Sequence, residues 1–307
     1  MAINVSSLQF RRSNFVAHLQ RTLQTNGLEP HRFEIELTES LLFENTEQVI
    51  LKLQQVKQLG IKVSIDDFGT GYSSLSYLKR LPMDKLKIDR SFIRDIVTDK
   101  RDAAISKAII AMAHHLDIRV IAEGVENEAQ VALLRRSLCD EYQGYYFAKP
   151  MPAAELETFL QNYQRQRLIR PELSTDDRTI LIVDDEENIL SALTRLLRRD
   201  AYRVLTCTSA KQALEVLALN QVQVILSDQR MPEISGTEFL SQVKDMYPDT
   251  IRIVLSGYTD LRSVTDAINK GAIYKFMTKP WQDDELRREI KQAFVQYQLQ
   301  ISNKKEE

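Results

Sequence analysis

Runs of five to seven mostly apolar residues alternate along this chain with segments of helical spacing, in two separate series. The first series reads AINVS (2–6), FEIEL (33–37), KVSID (62–66), KLKID (85–89), RVIAE (119–123) and YQGYYF (142–147). Between the second and third runs, "TEQVILKLQQVKQLG" sets Val49, Leu53, Val56 and Leu59 on one helical face, and Gly60 follows where a C-cap glycine belongs. Strands joined through helices run parallel, so this alternation predicts an α/β fold. Polar residues recur near the strands' C-terminal ends, where a (βα) barrel gathers its chemistry. Six strands fall short of the eight that close such a barrel, and "MAINVS" begins inside a strand. The sequence therefore predicts a partial barrel, with missing strands that belong ahead of Met1.

The second series is TILIVD (179–184), YRVLTC (202–207), VQVILSD (222–228), IRIVLS (251–256) and AIYKFMT (272–278). Five strands with intervening helices predict a small flavodoxin-like, doubly wound (βα)5 domain. The stretch "QRQRLIRPELSTDDR", with its charge, proline and hydroxyl pair, reads as a linker. The expected boundaries are a barrel-type domain over 1–163, a linker over 164–177, a second domain over 178–300 and a tail over 301–307. Leu286, Ile290, Phe294 and Ile301 form an apolar stripe read as core, in a helix that frays toward its end.

Composition narrows the function. With 41 Lys and Arg against 43 Asp and Glu, the formal charge of −2 and the lack of a basic run argue against a nucleic-acid polymer as partner. No apolar stretch reaches the roughly 20 residues of a membrane span. Cys139 and Cys207 lie far apart and form no disulfide framework, so a cytoplasmic location is expected. His114 and His115, adjacent on a helix, face different directions and read as packing or surface residues, and Trp281 reads as surface packing.

One run in each series ends on paired aspartates, in "KVSIDDFGTG" and "TILIVDDEEN". Two carboxylates about 5 Å apart repel by roughly 3 kcal/mol at an effective dielectric near 20. Adjacent strand residues point to opposite faces, so Asp66 and Asp67 converge only where the strand ends and the glycines turn the chain. "GTG" lacks the third glycine of a dinucleotide fingerprint. Asn4, Glu39, Lys87, Asp89, Glu123, Glu126 and Gln143 stand near the other strand ends. Oxygen ligands with a lysine among them suit hard divalent cations.

"ELTES", "DDFGTGYSSL", "LKIDRSFI", "IAEGVE" and "QGYYFAKP" closely resemble, in order, the motifs of the EAL family of cyclic di-GMP phosphodiesterases. The resemblance implies a modified TIM barrel holding two Mg²⁺ or Mn²⁺ ions. It gives Asn4, Glu39 and Asp66 to the first metal, with Asp66 bridging to the second, Asp67 completing that shell and Glu123 nearby. Lys87 would hold the attacking water, and Glu126 and Gln143 would support a loop and the substrate site. The chain departs from the family in one respect: no Glu-Ala-Leu strand precedes "INVS". A site short of one anionic ligand predicts weak metal binding and an inactive phosphodiesterase, unless upstream residues complete it.

In the second series Asp184 and Asp185 end the first strand, Asp228 the third and Ser256 the fourth, while Lys279 follows the fifth. Three carboxylates, a hydroxyl and an ammonium at one edge of a parallel sheet make a phosphate-and-metal site. The set resembles the receiver domain of two-component response regulators. By that resemblance Asp228 accepts a phosphoryl group, Asp184 and Asp185 hold Mg²⁺ with it, Lys279 and Ser256 bind phosphoryl oxygens, and Phe276 is the aromatic switch. The implied partners are cyclic di-GMP and a histidine kinase or phosphotransfer protein, with a homodimer through the segment matching "DDFGTGYSSL". The expected function is a response regulator of cyclic di-GMP signalling, in which the EAL domain yields linear pGpG or serves as a binding module without turnover.

Overall fold

A computed structural model describes residues 1–43, 46–71, 78–166, 178–200, 202–257 and 271–306. They form two compact units, Met1–Lys149 and Pro150–Glu307. Most of the expected linker, and Tyr72 to Leu75 of the expected dimer segment, lie outside the described residues.

The first unit is built on six parallel strands in chain order: β1 (Ala2–Asn4), β2 (Glu34–Thr38), β3 (Lys62–Phe68), β4 (Lys85–Ile88), β5 (Arg119–Ala122) and β6 (Glu141–Tyr142). A parallel sheet covered by helices usually reads as continuous apolar runs. This one alternates. Ile35, Leu37, Val63, Ile65, Leu86, Ile88, Val120 and Ala122 are buried, as are Leu53 and Val56 of the helix Thr46–Gln58. The strand period of two puts Glu34, Glu36, Lys85 and Lys87 on the opposite face.

That polar face is concave. The Lys85 ammonium pairs with Glu34 of β2 at 3.1 Å and with Glu141 of β6 at 2.8 Å. In a flat sheet those two strands would stand about 19 Å apart. One residue pair higher on β4, Lys87 draws carboxylates from β2, β3 and the end of β5. Two tiers of lysine-centred ion pairs thus line the inside of the curve. Burial works against the Lys85 charge, but the bonds to Glu141 and Glu34 outweigh it and raise the ammonium above its ordinary range.

The expected strand 142–147 is corrected. Only Tyr142 of it pairs, and the chain turns from Gly144 onward. Gly144 presses directly on the Val125 backbone, leaving no room for a side chain. Tyr146 N donates to Val125 O at 3.0 Å, so this segment packs on the loop after β5 instead of extending the sheet.

The second unit holds β7 (Thr179–Val183), β8 (Arg203–Cys207), β9 (Val224–Asp228), β10 (Ile251–Ser256) and β11 (Lys275–Thr278), ordered β11-β10-β9-β7-β8. All pairs are parallel. β7 and β9 are buried at every position, as a sheet covered on both faces requires. Of the expected run 272–278 the strand spans Lys275–Thr278; just ahead of it Tyr274 N donates to Arg252 O at 2.8 Å, and Arg252 Nε donates to Ala272 O at 2.8 Å. Leu286, Ile290, Ala293 and Phe294 of the helix Asp283–Glu306 enter the core, and Trp281 packs against it. The expected fraying does not occur within the described residues: the helix continues to Glu306. Asp283, Asp284 and Glu285 in its first turn complement the helix dipole. Among the described residues no helix is long and apolar enough to cross a membrane.

Replacing Lys85 by Met strands Glu34 and leaves Glu141 only its more exposed partner, Arg119 at 3.2 Å. The expected loss is about 3 kcal/mol of first-unit stability, the low end for a stranded buried charge because Glu141 keeps some solvent. Denaturant unfolding of the variant measures it, and a loss below about 1 kcal/mol, the worth of an exposed ion pair, would contradict it.

Candidate functional site

Lys87 is the centre of the first site. Its side chain is 4% exposed, and its Nζ lies 2.6 Å from Glu123 Oε1, 2.9 Å from Glu36 Oε2 and 3.1 Å from Asp66 Oδ1. Burial opposes this charge, yet hydrogen bonds to Glu123 and Glu36 raise the ammonium well above its normal range. Burial pushes Glu123 up as well, only partly countered by Lys87.

Asp67 stands beside this cluster in a left-handed conformation, φ 55°, with its N–H donating to Asp66 Oδ1 at 3.0 Å. That turn lets both neighbours face the same side at the strand end. Burial first, then repulsion from Asp66 and Asp89, raises the Asp67 carboxyl. Four carboxylates face one ammonium, leaving a charge deficit that a dication would offset. Asp66, Asp67 and Glu123 each present an oxygen, all within 4.8 Å of one another. The donor set fits a hard cation such as Mg²⁺ or Mn²⁺.

Other expected residues lie around this corner. Asn4 is exposed on β1, in register with Glu36 on β2. Glu39 is 2% exposed, and its Oε2 accepts Gly69 N at 2.9 Å and Gly71 N at 3.3 Å. This carboxylate holds the loop that follows the paired aspartates. The glutamate on Lys87 is instead Glu36, which the sequence reading passed over; its signal was the period-two polar pattern of "FEIEL". Glu126 and Gln143 are exposed; the Glu126 N–H goes to Gln130 Oε1 at 2.7 Å, outside the corner. Gln143 N donates to Ala122 O at 2.8 Å and its carbonyl accepts Val125 N at 3.0 Å, bracketing Glu123. Asp89 caps the helix Arg90–Arg94 by accepting Ser91 N at 3.0 Å.

In the second unit, Lys279 Nζ lies 2.8 Å from Asp184 Oδ2 and 2.5 Å from Asp228 Oδ1. Each carboxylate gives its other oxygen to a backbone N–H: Asp184 to Glu186 N at 3.0 Å, Asp228 to Arg230 N at 2.9 Å. Burial opposes the Lys279 charge, but the two aspartates outweigh it and raise the ammonium. Ser256 is 1% exposed at the end of β10, and its carbonyl accepts Lys279 N at 2.8 Å. Asp185 is exposed and lines a hollow of about 500 Å³ with the loop from Gln229 to Ser235. Gly236 closes that loop against the Asp228 carbonyl, where no Cβ fits. Phe276 is 37% exposed on β11, in register with Val254.

Because the raised Asp67 group favours its neutral form, its ionisation costs stability as pH rises through the carboxylate range. Asp67→Asn, which tolerates the same left-handed backbone, should raise the melting temperature of the metal-free protein at pH 7. The gain should fade in acid, where Asp67 is protonated. A variant no more stable at pH 7, or equally favoured at pH 3, would contradict the charge deficit.

Comparison with known proteins supports the two halves separately. The EAL domain model matches residues 1–150, and the response regulator receiver domain model matches residues 180–291. The chain is 48% identical over 164 residues to the cyclic di-GMP phosphodiesterase NbdA of Pseudomonas aeruginosa, a match covering 53% of this chain and 21% of that protein. It is 42% identical over 166 residues to the cyclic di-GMP phosphodiesterase PdeR of Escherichia coli, covering 54% and 25%. The crystal structure of the EAL domain of Mycobacterium smegmatis DcpA aligns with a TM-score of 0.50 at 38% identity, covering 52% of this chain and 72% of that one. The chain spans only about a fifth to a quarter of the length of these curated relatives. Residues 1–150 belong to the EAL domain family, and residues 180–291 to the response regulator receiver domain family.

Proposed function

We propose that this protein acts in cyclic di-GMP signalling: its EAL unit takes the cyclic dinucleotide at the Lys87 corner, and phosphorylation of Asp228 in the receiver regulates it. The arrangement of Lys87 among Glu36, Asp66 and Glu123, with Asp67 beside them, carries the reading. Asp66, Asp67, Glu36 and Glu123 would hold divalent cations there. Bound dications polarise a phosphodiester and lower the pKa of a coordinated water. Lys87 then keeps its proton and orients the water, and Gln143 and Glu126 flank the nucleotide from the β5 and β6 ends. The water oxygen would bond to phosphorus as one P–O bond to a sugar breaks; the electron pair leaves on the sugar oxygen, which takes a proton from solvent, and the product is a linear dinucleotide with a terminal phosphate.

In the receiver, an Asp228 carboxylate oxygen attacks the donor's phosphorus. The bond from phosphorus to the donor's nitrogen or oxygen breaks, and the electron pair leaves with the donor. Lys279 follows the new phosphoryl oxygens, Ser256 binds one of them, and Asp184 and Asp185 would hold a Mg²⁺, which would offset the charge. The added charge would draw Ser256 inward and let Phe276 turn, which changes the outer face of β11.

A second reading has the EAL unit bind the nucleotide without turnover. Incubation with cyclic di-GMP and Mn²⁺ separates the two. Linear product that disappears in Lys87→Met supports hydrolysis, binding without product supports the second reading, and neither would refute both. For the receiver, acetyl phosphate with Mg²⁺ should label the chain, and Asp228→Ala should abolish the label. Label that survives the substitution would refute Asp228 as acceptor.

A further inference from the structure

Lys87 and Glu123 sit on neighbouring strands, and past their ends the two chains diverge into separate loops and helices. One side chain spans that gap. Gln130, on the helix Glu128–Arg136, is 2% exposed and uses both ends of its amide. Its Nε2 donates to Ile93 O at 3.1 Å and to Arg94 O at 3.0 Å, at the end of the helix that follows β4. Its Oε1 accepts Glu126 N at 2.7 Å and Asn127 N at 3.2 Å, at the end of the loop that follows Glu123. All four bonds run to backbone groups, so their geometry depends on chain path and not on neighbouring side chains.

The loop between is otherwise tightly set. Glu123 N donates to Ile88 O at 3.2 Å, and Gly124, φ 70°, passes so close to Arg90 that a Cβ there would lie 2.6 Å from the arginine's own. Ile88 O therefore fixes Glu123 at one end of the segment 123–127, and Gln130 fixes the other end to the same β4-linked helix. An ordinary helix cap explains only part of this. Asn127 with Gln130 forms a capping box, which needs the glutamine oxygen on Asn127 N; the two donations to Ile93 and Arg94 lie outside it.

We infer that Gln130 is a positioning residue, which holds the β4 and β5 ends at the spacing that lets Lys87 and Glu123 act on one cation-binding corner. The inference rests on the reading of that corner as a dication site. It goes beyond that reading by naming a residue that touches neither metal nor nucleotide.

The test uses the full chain carrying Asp184→Asn and Asp185→Asn, which removes two of the three carboxylates assigned to the receiver's own dication. Mn²⁺ uptake is followed by the paramagnetic resonance signal of the free ion. Gln130→Met removes all four bonds at similar length, and Gln130→Glu keeps the acceptor half while losing both donations. Asn127→Ala removes the cap of the same helix and leaves the glutamine bridge in place. The expected result is Mn²⁺ affinity weakened about tenfold or more in both Gln130 variants, as for other residues that orient metal ligands. In Asn127→Ala the melting temperature should fall while the affinity holds. Wild-type affinity in Gln130→Met, or in Gln130→Glu should the methionine variant not fold, would overturn the inference. So would Asn127→Ala weakening Mn²⁺ as much as the Gln130 variants. A parent chain that takes up no Mn²⁺ at all would remove the dication reading itself, and the inference with it.

Discussion

The first unit depends on how one ammonium is shared. Lys87, itself almost fully buried, answers three carboxylates, from β2, β3 and the end of β5. Charges this buried are held only when paired and hydrogen-bonded on several sides. The cluster therefore ties β2, β3, β4 and the end of β5 together from inside the curve, in addition to their ladder bonds. It also leaves the corner with more negative than positive charge, and a fold that tolerates such a deficit does so where a cation or a substrate completes it.

The receiver reaches a similar end by a different route. Lys279 bridges two aspartates from different strands, and each aspartate is steadied by a backbone N–H from its own loop. The carboxylates are held by the main chain, so they need not move when the lysine does. Such a division suits a site in which one aspartate is to be modified and its neighbour is to stay in place.

The sequence made much of this legible. The βα alternation announced both sheets, and the aspartate pairs and Lys279 marked both corners. Period-two patterning in "FEIEL" separates the faces of β2, but parallel strands are expected to be apolar throughout, so nothing in the motif marks Glu34 and Glu36 as the inner wall. Glu39 drew attention through its motif, yet its carboxylate turns to the amides of Gly69 and Gly71. Only the turn geometry after β3 reveals that. "YQGYYF" read as a strand because it continues the alternation of strand-length runs with helical segments, and the backbone contact at Gly144 turns the chain away. Gln130 was invisible for another reason: its partners are carbonyls and amides, which carry no sequence signature.

The lower tier of ion pairs has a mechanical consequence. Lys85 and Lys87 are two residues apart on one short strand, a separation of about 7 Å along its axis. Each lysine gathers carboxylates from both flanks of the sheet, so β4 works as an axle to which both tiers are keyed. A slip of that strand along its length could not loosen one tier and spare the other. Any displacement at the remote end, where Lys85 joins β2 to β6, would be handed directly to the rim that carries the chemistry.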